Sequence, residues 1–544
     1  MTVTFEAPAK GQWISLRDHF PRALTPEYQR LLCEAMPEGE RIPFADYGMP
    51  VATLEVRPVH GHVYVAPVPL LGGFSDSLPP RPILWAAARL VPAFRRRSKA
   101  ARRALAERPW LADAERWYGS ERSQWEARGA AIQAEDPDAL DAAGIAGHLR
   151  RAQALADDGY RRHFSLHGPD LIPTGLLLAW CVDRGVPADA VLPVLTGHSP
   201  ASLGRGATLD ALRTAAGGAL TPPTTLPELR AIAGRELDAF LAEHGWRLIT
   251  GYDIDSLALG ELPALVVNLA RPVSERPEAT GDDELADLRE RIAAAEHAEL
   301  ERLVREARAT FGMRDDNGAL TAAWPVGLLR RAMLAAGRTL AESGRLHHPE
   351  HGLEVTVDEL IELLTNPGAT RVELSADAVR DRADDRAARS ELLPPLQLGP
   401  DVDVPVDALP AAMRTMARAQ LLLRDTFTAP LDGRHDLDGD GIGSAVVRGR
   451  ACVAADPGDA LARLEPGDVL VATGTTPAYN MVLSLAAAVV VEEGGLLSHA
   501  AVIARELGLC AVIGAGGAMA SIPDGALVEV DPVAGRVRVL ASAP

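Results

Sequence analysis

Along the chain, the spacing of apolar and polar positions changes style several times. In VATLEVRPVHGHVYVAP (51–67) they alternate, which predicts two or three strands broken at His60-Gly61. The first eighty residues therefore read as a mixed strand and loop segment packing on a helical domain. From about 81 to 392 the period becomes helical. Leu285, Leu288, Ile292 and Ala295 mark one stripe; Leu329, Met333, Gly337 and Leu340 mark another. Thr356, with Glu359 three residues on, predicts a capped helix start over TVDELIELL. Residues 393–440 are rich in Pro, Gly and Asp and read as an exposed linker around a short helix at 412–424. From 441 to 544, short runs of small apolar residues (ACVA, DVLVAT, AAAVVVEE, CAVIG, ALVEVDP, RVRVL) surround one strong helix, SHAAVIARELG. The expected fold class is α+β multidomain: a largely helical central domain followed by a compact β/α domain.

Composition narrows the setting. The formal charge is −19, from 74 acids and 55 bases, so no basic face for nucleic acid is expected. The one basic run, RRRSKAARR (95–103), reads as a solvated helix face rather than a phosphate or anionic-lipid patch. No stretch approaches the roughly eighteen unbroken apolar residues of a membrane span, and MTVTFEAPAKGQW lacks the pattern of a secretory signal. Cys33, Cys181, Cys452 and Cys510 are scattered, with no metal or redox spacing. A cytoplasmic protein without a membrane partner is the expectation.

Chemistry concentrates in VVVEEGGLLSHAAVIARELGLCAVIG (489–514). A β-branched run ends at Glu492-Glu493, and Gly494-Gly495 permit a tight turn with positive φ. His499 then opens a helix that Gly508 closes. A helix start presents backbone N–H groups and the positive end of the helix dipole, which suits a phosphoryl group on an imidazole nitrogen. Ser498 is placed to bond that phosphate or orient the ring, and Arg505 lies less than two turns further on. A lone histidine here would read as a satisfied cap residue, but this run is too long for that. GGLLSHAAVIARELGLCAVIG resembles the phosphohistidine signature of the phosphoenolpyruvate-utilising enzymes, among them phosphoenolpyruvate synthase, pyruvate phosphate dikinase and the rifampicin phosphotransferase group. GIGSAVVRGRACVA (441–454) and LEPGDVLVATGTTPAYNMVLSLAAAVV (464–490) resemble the preceding strands and helix of that swivelling domain. HFPRALTP (19–26), PVHGHVYV (58–65), FLAEHGWRLITGYDID (240–255) and LLRRAMLAAGRTLAESGRLHHPEHGLEVTVDEL (328–360) resemble the helical, substrate-binding part of the rifampicin group.

The resemblance implies that the histidine matching His499 is phosphorylated at one site and delivers the group at another. The catalytic candidates are therefore His499, Ser498 and Arg505, and the substrate-binding candidates Gly494, Gly495 and Asp253. No GxxxxGK[ST] loop or other glycine-rich phosphate cradle is legible. The chain is thus expected to bind no cofactor alone and to meet ATP and Mg²⁺ only through a separate ATP-grasp protein. The leading expectation is a divergent phosphotransferase acting on a small, natural-product-like molecule. The alternative is a nucleotide-independent dehydratase or lyase using His499 as general acid and base, and a non-catalytic binding protein ranks last. Weaker signals are DLDGDG (436–441), which reads as a linker turn because Val447 stands where a calcium loop needs Glu, and His347, His348 and His351, read as a surface loop. His351 stands where related sequences carry an acid. Asp253, Asp255, Glu261, Asp315 and Asp316 remain as possible pocket acids.

Overall fold

The computed structural model describes residues 3–541 apart from 18, 199–206, 219–222, 272–280, 367–370, 403–404, 428–436, 456, 476–478, 484 and 497, and omits the side chains of 315, 424–427, 480 and 481. It is an α+β multidomain structure. The chain forms two compact units. One comprises 1–169, 252–257 and 317–417; the other comprises 170–251, 258–316 and 418–544. The central helices are therefore shared between two bodies, where the sequence pattern alone suggests one domain over 81–392. Among the described residues, no helix is long and apolar enough to cross a membrane.

The first unit holds a four-stranded antiparallel sheet of β1 (Trp13–Ser15), β2 (Val51–Val59), β3 (His62–Pro69) and β4 (Gln397–Leu398), in the order β2-β3-β1-β4. The β2–β3 turn is the two residues expected. His60 and Gly61 both have positive φ, 52° and 85°, the geometry that matches the twist of a two-residue hairpin. Trp13, Tyr64, Ala66 and Leu398 form its small core.

Two expectations need correction here. The first eighty residues are not only strand and loop, because Pro26–Asp46 is a 21-residue helix. Pro37 and Pro43 lie inside it, although proline ordinarily costs a helix interior a hydrogen bond. Yet Tyr28, Leu31, Leu32, Ala35, Met36 and Phe44 form a buried stripe, and tertiary packing overrides the local cost. The 393–440 segment is likewise not a bare tether. Leu398 in β4 is buried, and Met413 and Met416 on the helix Ala411–Phe427 are fully buried. Residues 428–436 of the expected linker lie outside the described residues.

The long helix, Trp324–Glu342 and Val357–Thr365 all pack on the helix Ala142–Leu166. Thr356 and Glu359 cap the last of these reciprocally, as the sequence predicts. A Cβ on Gly159 would sit 2.2 Å from the Thr321 carbonyl oxygen, so glycine is what lets these backbones meet.

In the second unit, the C-terminal sheet has seven strands: β5 (Asp440–Ile442), β6 (Val447–Val453), β7 (Val469–Ala472), β8 (Ala488–Val491), β9 (Cys510–Ile513), β10 (Leu527–Asp531) and β11 (Arg536–Ala541). Their order is β11-β10-β6-β7-β8-β9-β5. The middle four are parallel and the flanking strands antiparallel. Alternate residues serve two cores. Val469, Val471, Val490 and Val512 pack with Val528, Val530 and Ile522 on one face. Leu470, Val489, Val491 and Ile513 join the crossover helices Pro457–Arg463 and His499–Leu507 on the other. That second core continues into Leu209, Leu212, Leu229, Leu237 and Phe240 of the helices Ala207–Gly217 and Leu226–His244. The β/α domain therefore shares apolar surface with part of the helical region.

Glu40 is buried on the Pro26–Asp46 helix, its carboxylate 3.6 Å from His167 Nδ1. Burial pushes its pKa up from 4.5 to about 8. A raised folded-state pKa stabilises the fold below the unfolded value and loses that contribution as pH rises through the folded one. Stability of the first unit should thus fall between about pH 4.5 and 8. Urea unfolding across this range should show a shallower fall in Glu40→Gln, which keeps the neutral polar group without the ionisation. An unchanged slope would contradict the assignment.

Candidate active site

The candidate site lies where parallel strands end. β8 stops at Val491, and the chain must return to start β9 alongside it. It does so through the loop 492–498 and the helix His499–Leu507, so the helix N-terminus sits by the carboxyl ends of β7 and β8. Open α/β sheets place ligands in this position. Gly494 takes φ 114°, and a Cβ there would meet Ser498 Cβ at 2.8 Å. The Gly495 carbonyl accepts from Ser498 N–H at 2.9 Å. These two glycines shape the loop that presents the histidine. Glu492 closes the same loop, its carboxylate accepting from Met519 N–H at 2.8 Å.

Ser498 is the N-cap, its hydroxyl accepting from Ala501 N–H at 3.4 Å, and Gly508 ends the helix in a left-handed conformation, as expected. His499 is half-buried, and its Nδ1 lies 2.8 Å from Thr475 Oγ1. Thr475 belongs to the loop after β7 and was not singled out from the sequence. Its available signal was the TGTT turn directly after a buried strand. In the tautomer in which Nδ1 carries the proton and donates it to Thr475, the lone pair is on Nε2.

Arg505 turns back rather than outward. Its guanidinium donates to the Leu496 carbonyl at 2.5 Å, and burial lowers its pKa to about 10, against the opposing influence of Asp189, Asp440 and Glu506. It ties the helix to the loop that follows the two glycines. The helix's far end is held too, since Gly197 N–H donates to the Glu506 carboxylate at 3.0 Å.

Asp253 belongs to the other unit. Its carboxylate accepts from Thr25 N–H at 2.8 Å, the Thr25 hydroxyl at 2.5 Å and Ile254 N–H at 2.6 Å. It is fully enclosed, and burial with the neighbouring Asp255 charge raises its pKa. Asp255 pairs with Arg22 and Arg386. Glu261 accepts from Ala258 N–H. These acids tie segments of backbone together. The side chain of Asp315 and the start of DLDGDG at 436 lie outside the described residues; Asp438 pairs with Arg536 at 2.7 Å. His347 bonds Asp377 at 3.0 Å.

Residues 464–535 match the mobile domain of the PEP-utilising enzymes. The match lies within the C-terminal domain. His499, Thr475 and the glycine loop all fall within the matched mobile domain. The chain is also similar to a rifampicin phosphotransferase of Streptomyces sviceus, 34% identical over 211 residues, covering 39% of this chain and 21% of the relative. An uncharacterized protein of Mycobacterium tuberculosis is 33% identical over 213 residues, covering 39% of this chain and 22% of the relative. Chondramide synthase of Chondromyces crocatus is 27% identical over 583 aligned residues, covering 99% of this chain and 14% of that protein. The chain thus spans less than a quarter of the length of these relatives, and the family is phosphotransferase-related.

Thr475→Val should leave stability within about 1 kcal/mol, the usual net worth of one hydrogen bond. It should free the tautomer choice of His499, read as a change in the ring ¹⁵N shifts. Unchanged shifts would show that Thr475 does not orient the ring.

Proposed function

We propose that this chain is a phosphotransferase-family protein that carries a phosphoryl group on His499 Nε2 and passes it to a small molecule. The observation that carries the reading is the placement of His499: at a helix N-terminus, at the ends of parallel strands, with Nδ1 held by Thr475. In the first step the Nε2 lone pair attacks phosphorus, the N–P bond forms and the donor's P–O bond breaks. In the second, a substrate hydroxyl attacks phosphorus, the N–P bond breaks, the lone pair returns to Nε2 and the hydroxyl proton leaves to solvent. The helix N-terminus stabilises the transferred charge in both steps. The glycine loop lets it approach the backbone, and Arg505 fixes that loop.

The donor is proposed to be ATP with Mg²⁺ held by a separate ATP-grasp protein. The acceptor is proposed to be a natural-product-like molecule. That proposal is supported by the full-length likeness to part of a chondramide synthase and the partial likeness to a rifampicin phosphotransferase.

With the ATP-grasp partner and ATP, the wild-type chain should gain one acid-labile phosphoryl group, and His499→Ala should gain none. The substitution should cost little stability, because the ring is half-buried beside a loop. Turnover of a hydroxylated substrate without nucleotide, titrating near the usual histidine value of about 6.5, would instead make His499 a general acid and base. Full activity in His499→Ala would overturn both.

A further inference from the structure

The basic run at 95–103 does not lie on an evenly solvated face. The helix Pro92–Glu107 buries Ser98, Ala101 and Ala104. Gly48 makes the close approach, because a Cβ there would meet the Arg97 carbonyl and Ala101 at 2.3–2.7 Å. With that side fixed, residues spaced three and four apart turn the other way, and Arg95, Arg96, Lys99 and Arg102 form one stripe. With Arg89, Ala88, Pro92, Ser98 and Pro410 they line a concavity of about 560 Å³, within the range of small-ligand sites. Arg89 is fixed in place. It donates to the Trp85 and Ala408 carbonyls at 3.0 and 3.1 Å, and its guanidinium stacks 4.0 Å from the Trp85 ring.

The charge here is uncompensated. Among the described residues, no ion pair joins Arg89, Arg95, Arg96, Lys99 or Arg102 to a carboxylate, although arginines elsewhere in the chain form many such pairs. No acid occurs between residues 81 and 106, in a protein of net charge −19. Like charges three and four residues apart weaken a helix. Arg95 and Arg96 also lie near its N-terminus, where the dipole already disfavours cations. The fold gains nothing from this arrangement, whereas an anion would relieve it.

We propose that Arg89, Arg95, Arg96, Lys99 and Arg102 form a site for a soluble ligand bearing clustered phosphoryl groups. The lining has no carboxylate for a magnesium ion and no ring against which a base would stack. The ligand it fits is therefore a run of phosphoryl groups rather than a magnesium nucleotide. The inference is independent of the role given to His499.

Calorimetry of the full chain with metal-free tripolyphosphate, at about physiological salt, should show saturable binding of one ligand. Arg96→Ala and Lys99→Ala should each weaken it roughly tenfold, the worth of one charge-assisted hydrogen bond. Arg103→Ala, on the same helix but outside the concavity, should change it little, and so should His499→Ala. The Arg96 and Lys99 side chains are exposed, so an unchanged unfolding midpoint should accompany each loss. Three outcomes would overturn the proposal: absence of saturable binding, an equal loss in Arg103→Ala, or recruitment only to phosphatidylserine-containing vesicles with no binding of the soluble anion.

Discussion

A chain that leaves one parallel strand and enters the next must travel back along the sheet, and in the C-terminal domain it does so as a helix. The return from β8 to β9 starts that helix at the strand ends, so its N-terminus and the positive end of its dipole lie on the same side as the loop after β7. Everything His499 can do depends on this crossover. The parallel core, packed with alternating Val and Leu on two faces, fixes the strand ends rigidly enough for a 2.8 Å contact between two loops to be maintained.

Around that crossover the sequence spends residues on support. Gly494 permits the turn, Glu492 ties it to the backbone at Met519, Ser498 caps the helix and Arg505 reaches back to Leu496. Burial of this guanidinium lowers its pKa, and its hydrogen bond to the Leu496 carbonyl partly satisfies it. The functional group is thus one side chain, and most of the surrounding motif holds it.

The first unit obeys a different logic. Residues 252–257 are the piece of chain that joins it from a stretch otherwise belonging to the second unit. Asp253 satisfies the start of the Pro26–Asp46 helix, and Arg330 donates to the Ile254 carbonyl at 2.9 Å. A buried acid with several donors is well satisfied, and these contacts give Asp253 a structural part in the first unit.

The local motif was legible in the sequence. A Gly-Gly turn, a histidine at a helix start and a C-cap glycine lie within fifteen residues, and the turn and cap act through backbone rules that depend on near neighbours; that Ser498 caps the helix came from the structure. The hairpin at His60-Gly61 and the Thr356–Glu359 capping box are legible for the same reason. What needed the tertiary structure was every partner distant in sequence. Thr475 meets His499 across 24 positions and Asp253 meets Thr25 across 228. The helix containing Pro37 and Pro43 survives because its stripe is buried. The division of the helices into two units, and the concavity that the basic run lines with Arg89 and Pro410, depend on which faces pack. Periodicity shows that a face is apolar; only the packed structure decides what it meets.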